Sequence, residues 1–226
     1  MKQYVYLLFF LFTSFVVSAQ THYESMVTVG GKGGVTLSRI QFNPTVPESM
    51  LPGMMVGATF RYIEENHFGL LAELNVEQRG WKEKFEGYDY SFQRKFTYLQ
   101  IPVMTHIYFG SDKMKGFFNI GPEAAFMLAE STNANFDYKN ISAIEGFPTQ
   151  NRNTDQFNLK VHSKFDYGIS AGVGFELQQS IRNSFTVEGR FYYGLRDVFD
   201  NHKKDTFSAS SGMAIMVTLG YNYRIK

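Results

Sequence analysis

Apolar and polar side chains trade places with a period of two along most of this chain, the repeat of a β-strand whose two faces meet different surroundings. In the last segment Ile215, Val217, Leu219, Tyr221 and Tyr223 share one face. Ala214, Met216, Thr218, Gly220, Asn222 and Arg224 share the other. The preceding segment sets Phe185, Val187, Phe191, Tyr193 and Leu195 against Thr186, Glu188, Arg190 and Arg196. A third sets Tyr167, Ile169, Val173 and Phe175 against Asp166, Ser170 and Glu176. The same pattern predicts further strands over residues 26–38, 54–62, 68–79, 98–109 and 118–128, giving eight in all. Two of the three C-terminal segments hold ten or more alternating residues, the length of a strand that crosses a bilayer at a tilt, about 9–11 residues.

The connections alternate in length. Those at 64–67, 110–115 and 179–183 are short, and those at 39–50, 81–93, 131–164 and 199–207 are long. An even number of up-and-down strands with short turns at one end and long loops at the other is the pattern of an outer-membrane barrel. The long loops are then extracellular and both termini periplasmic. The longest loop carries Asn133, Asn135, Asn140, Asn151 and Asn153 and reads as a polar, mobile segment.

Alternation does not say which face points inward. The polar face carries Lys32, Arg61, Arg79, Arg190, Arg196 and Arg224 against Glu73, Glu77, Glu123, Asp166, Glu176 and Glu188. Balanced signs of this kind are expected to pair in a packed lumen, as a structural charge network. Gly30, Gly34, Gly57, Gly121, Gly168, Gly172 and Gly174 share that face and leave room for long side chains. On the apolar face Tyr62, Phe68, Phe109, Tyr167, Phe185, Tyr221 and Tyr223 cluster at strand ends, where interfacial aromatic girdles sit. The fold class is therefore all-β: an eight-stranded antiparallel up-and-down transmembrane β-barrel, apolar outside and charged within.

The N-terminus agrees with this address. Lys2, an apolar run from Tyr4 to Val17 and the small residues Ser18 and Ala19 read as a cleaved signal peptide over residues 1–19. The exported barrel domain is then 20–226, in the outer membrane of a Gram-negative cell. Among its 226 residues the chain has no Cys, which excludes disulfides, thiol catalysis and a lipid-anchored N-terminus. A net charge of +1 gives no reason to expect nucleic acid. The unusual feature is 17% aromatic residues at a mean hydropathy of only −0.23, which suits strands crossing lipid and not helices.

Several short stretches carry a resemblance. Tyr98-Leu99-Gln100-Ile101-Pro102-Val103 is similar to the "YLxIP" strand of the PorT-like outer-membrane β-barrel family of Bacteroidetes. Gly121-Pro122-Glu123, Phe165-Asp166-Tyr167-Gly168, Ala171-Gly172-Val173-Gly174-Phe175-Glu176 and Tyr193-Gly194-Leu195 resemble that family's recurring elements, in the same order. The resemblance spans the exported chain. It implies an integral outer-membrane protein, with some members serving protein secretion and gliding.

Motifs that suggest other chemistry do not hold. Gly30-Gly31-Lys32-Gly33-Gly34-Val35-Thr36 has its Lys ahead of the second Gly pair and no helix after it, so it is a glycine-rich strand and not a phosphate loop. His22, His67, His106, His162 and His202 show no metal-ligand spacing, and Asp197, Asp200 and Asp205 lack that of a calcium loop. No catalytic, cofactor or metal site is expected. Two alternatives are kept open. A lipid-modifying enzyme could use His162, Ser163, His202, Ser208 and Ser210 at the rim, and a narrow channel could run through the lumen. The expected partners are outer-membrane lipid, the barrel assembly machinery, and other envelope or secretion proteins met through loop 131–164.

Overall fold

The structure, a computed structural model, describes residues 25–149, 152–200 and 205–226, so the signal peptide expected at 1–19 lies outside the described residues. Among the described residues nine strands follow one another: β1 (Met26–Asn43), β2 (Glu48–Ser49), β3 (Leu51–Glu65), β4 (Phe68–Glu83), β5 (Phe92–Gly110), β6 (Met114–Ala134), β7 (Phe165–Gln178), β8 (Asn183–Asp197) and β9 (Ala209–Arg224). The two-residue β2 only flanks the outer end of β4. The other eight pair antiparallel in chain order, and β1 returns to β9 from Thr28↔Arg224 to Asn43↔Ala209. That last ladder closes the ring. Tight turns join β3 to β4, β5 to β6 and β7 to β8. His67 takes the left-handed conformation (φ 75°) in the first of them.

The wall faces two solvents. Over the lower part of each strand the outward positions are apolar and exposed, including Val35 and Leu37 on β1, Leu70 and Leu74 on β4, Val173 and Phe175 on β7, and Val217 and Leu219 on β9. Aromatics edge this band, with Phe185 and Tyr221 5.5 Å apart near the tight turns and Phe126 and Phe165 5.0 Å apart at the other edge. Apolar residues left this exposed are stable only against hydrocarbon, so the band marks the bilayer.

Above the band the pattern reverses, which the alternation did not predict. On β1 the outward positions become Arg39, Gln41 and Asn43, while Ile40 and Phe42 turn inward and are buried. On β4 the outward positions become Gln78 and Lys82, and Trp81 turns inward. The strands accordingly run further than expected, to Asn43, Glu83 and Ala134, and β5 starts at Phe92, inside what reads as loop. Side-chain period continues there with opposite sign, because the outer solvent has changed from lipid to water.

Loop 131–164 also differs from expectation. It carries 3₁₀ turns at Ile141–Ala143 and Asp155–Asn158 and folds back over the barrel mouth. Phe136, Tyr138, Ile141, Ile144, Phe147, Phe157 and Leu159 pack on Ile40, Phe42, Trp81, Phe92, Phe96 and Phe199. Asn133, Asn135 and Asn140 stand on its outside; the aromatic residues between and after them make the contact.

Val217 sits mid-band, paired with Val35 and Gly189. Val217→Arg should destabilise the barrel in lipid vesicles by about 2–4 kcal/mol. Gln41→Arg, exposed above the band, should change it by less than about 0.5 kcal/mol. Urea unfolding of both variants in bilayers checks the placement of the lipid boundary.

Candidate functional site

At membrane depth the lumen is filled by side chains from every wall. Lys32 Nζ reaches Glu73 at 2.7 Å and Glu188 at 3.5 Å. Arg190 donates both Nη groups to Glu73 (2.7 and 2.9 Å) and also holds Glu188 at 2.8 Å. These four charges join β1, β4 and β8 across the interior. Below them, Arg61 makes a bidentate pair with Glu176, 2.8 Å on each arm, and Ser184 donates to the same carboxylate at 2.6 Å. Above them, Arg79 bridges Glu77 (2.8 Å) and Glu123 (2.5 Å), and its guanidinium lies 3.7 Å from the ring centre of Tyr192.

Neutral polar groups connect these clusters. Asn75 donates to Glu73, Gln100 to Glu77, Ser170 to Glu123, and the Tyr192 hydroxyl to Asp166 at 2.9 Å. His106 lies 2.7 Å from Asn119, which donates to Glu188 at 2.9 Å. Isolated charges taken out of water cost several kcal/mol each, and bidentate pairing with shared hydrogen bonds is what offsets that cost.

Ten of the twelve residues expected to form the lumen network are buried: Lys32, Arg61, Glu73, Glu77, Arg79, Glu123, Asp166, Glu176, Glu188 and Arg190. Arg196 and Arg224 depart from expectation. Both are half-buried and join no ion pair among the described residues. Arg196 lies between Tyr193 and Asp197, where the β8–β9 register shifts above the network, and Arg224 lines the periplasmic mouth with Arg61, Lys115 and Arg182. The lumen glycines also do two different jobs. A Cβ on Gly57 would fall 1.9 Å from Asn75 Oδ1, so it yields space to a network side chain. A Cβ on Gly34 would fall 2.0 Å from the Val217 carbonyl oxygen, so there it is neighbouring backbone that excludes it.

Over the network lies a second, apolar layer. Trp81 packs on Phe92 and Phe42, with ring centres 5.1 and 5.3 Å apart, and Phe157 seals Phe92 at 4.6 Å. Charged residues pin its edge. Arg152 pairs with Glu83 at 2.7 Å and lies over the Phe85 ring, and Arg94 pairs with Glu130 at 2.5 Å and lies over Phe199. Glu48 stands opposite Glu83 across the β2–β4 pairing. Burial pushes Glu48 up to about 7 despite Arg39 nearby. Burial likewise pushes Glu83 up to about 7, with the like charge of Glu48 adding to it against Gln156 and Arg152.

At the rim, His162 Nδ1 lies 2.9 Å from Asp200 Oδ1. No serine completes a nucleophilic set there among the described residues. Ser163 Oγ accepts from the Phe165 N–H, Ser208 Oγ bonds Asn43, and Ser210 Oγ accepts from the Phe199 N–H. His202 lies outside the described residues. No group of three or more metal-ligating side chains occurs among the described residues.

Two outcomes are expected. Glu73→Ala strips both Lys32 and Arg190 of their main partner and should cost about 3–5 kcal/mol in detergent unfolding, against under about 0.5 kcal/mol for exposed Lys139→Ala. The second concerns pH. Glu48 and Glu83 hold their protons more tightly when folded (about 7) than at the ordinary 4.5, so their contribution is complete below pH 4.5 and lost as pH rises through 7. Hydrogen exchange over residues 136–159, corrected for intrinsic rates, should be slower at pH 5.5 than at pH 8, and Glu83→Gln should flatten the difference.

Known proteins share this architecture. The family described as outer membrane protein beta-barrel domain matches residues 18–200. Among solved structures, the outer membrane protein OprG from Pseudomonas aeruginosa aligns over 92% of this chain and 99% of its own, at 11% identity and a TM-score of 0.55. AlkL in lipid bilayers aligns over 93% and 94% at 9% identity and a TM-score of 0.46. Neisserial surface protein A covers 88% and 98% at 8% identity and 0.45. At these identities the likeness is one of fold. No curated protein matches the sequence.

Proposed function

The chain belongs to the outer membrane protein beta-barrel domain family, and on that premise we propose that it is a closed, non-enzymatic barrel whose extracellular cap is an interaction surface. The observation that carries this reading is the double seal. A charged network occupies the lumen at membrane depth, and an aromatic core assembled from β-strand ends and the loop between β6 and β7 covers it. Eight strands leave an interior just wide enough for side chains. Loops packed into a cap present a folded surface, which suits contact with another macromolecule better than passage of a solute.

The finer placement we propose is the PorT-like branch, supported by Tyr98–Val103 and the four later motifs in matching order, with an accessory role in protein secretion or envelope assembly. The barrel assembly machinery and a secretion or envelope protein are the partners this role requires.

Two measurements test it. The barrel reconstituted in planar bilayers should show no stepwise conductance, and steady single-channel openings would return the channel reading. Native purification from outer membranes should retain a partner that is lost when residues 136–159 are replaced by a short Gly-Ser linker. A lipid A mass spectrum altered by expression of the protein would instead return the enzyme.

A further inference from the structure

Above the bilayer the ladder between β6 and β7 stops while the one between β5 and β6 goes on. β6 pairs with β7 only as far as Phe126↔Phe165, yet it stays paired with β5 up to Phe92↔Ala134. On its open side Met127 N–H donates to Lys164 O at 2.7 Å, and among the described residues no backbone bond reaches 128–134 from that side. The direction of the free groups follows from the next residue. Asn135 N–H donates to Ser91 O, toward β5, so by alternation Ser131 and Asn133 also face β5 while Glu130 and Thr132 aim their N–H and C=O outward.

Leu159 has strand-like angles (φ −60°, ψ 136°), its carbonyl is held by Arg94 Nη1 at 2.6 Å, and Val161 bridges to Phe199 on its far side. Between β6 and this segment lies a groove of about 310 Å³. Arg94, Lys139 and Lys160 line it against the single acid Glu130, with Tyr138 and Thr132. Exposed sheet edges are normally blunted by lysine or proline. Residues 128–134 carry neither.

We propose that this edge of β6 receives an extended, acidic segment of a partner protein as an added strand. Main-chain bonds to Glu130 and Thr132 would supply affinity, and Lys139 and Lys160 would select carboxylate side chains. The inference rests on the cap's role as an interaction surface and says which part of it makes contact and with what chemistry.

The full-length barrel in lipid nanodiscs is titrated with three labelled synthetic peptides: one alternating Val and Glu, one alternating Val and Lys, and the Val–Glu peptide N-methylated at alternate residues. The Val–Glu peptide should bind at least about tenfold more tightly than the other two, since charge and strand pairing both contribute. Thr132→Pro, which removes one free N–H, and the paired exposed variants Lys139→Glu and Lys160→Glu should each weaken it by about tenfold. The Lys variants leave strand geometry untouched, so they report even if the Pro variant fails to fold. Equal binding of the N-methylated peptide overturns strand addition. Binding of a sulfated disaccharide in place of the peptide, lost with the Lys variants and unchanged by Thr132→Pro, overturns it in favour of a glycan. No binding of the Val–Glu peptide, while partner capture still depends on residues 136–159, overturns it and leaves the interaction reading standing.

Discussion

A polypeptide crossing hydrocarbon must satisfy its own backbone, because no water is there to do it. In this chain the β1–β9 ladder answers that constraint, and everything else follows from it. Closing the ring with eight strands fixes a narrow bore, and a narrow bore cannot hold bulk water around the side chains it encloses. Whatever points inward must find its partner inside. Whatever points outward must tolerate acyl chains.

The interior solves this with long reach. Lys32 on β1, Glu73 on β4 and Arg190 on β8 lie on different walls, and Arg61 on β3 meets Glu176 on β7. Neighbouring strands are already joined by main-chain ladders, so these bonds add tension across the bore and not around it. Buried pairs of this kind contribute little net stability compared with a packed apolar core. Their value lies in what they forbid: a strand slipped by one residue would turn Glu73 or Arg190 toward lipid and leave its partners alone inside.

The membrane-depth half of the barrel was legible in the sequence, and the outer half was not. Where lipid is the outer solvent, contrast along a strand is stark, as in Val217 beside Thr218 or Val187 beside Glu188, and the eight strands and the two faces of each can be read directly. Past Leu37 and Val76 the same period continues with sign reversed, so Ile40, Phe42 and Trp81 look like stray apolar residues in loops. Their packing partners Phe157 and Phe207 lie far off in sequence, beyond what local periodicity can report. Within the long loop Phe136, Tyr138, Ile141, Ile144 and Phe147 stand among the asparagines, a density of apolar residues that is the local signal for a core. The approach of His162 to Asp200 and the shift between Thr97 and Tyr98, above which Glu130 faces Phe96, depend on tertiary pairing and leave no trace in spacing.

The reversal of polarity between Leu37 and Arg39, and between Val76 and Gln78, fixes a waterline on the outside of the cylinder. Sinking by two residues, about 7 Å of rise, would carry Arg39, Gln78 and Lys82 toward the acyl chains. Rising by the same amount would lift the Phe185 and Tyr221 rings off the inner interface into the hydrocarbon. The protein therefore floats at one draught, and a membrane of different thickness must deform to meet it.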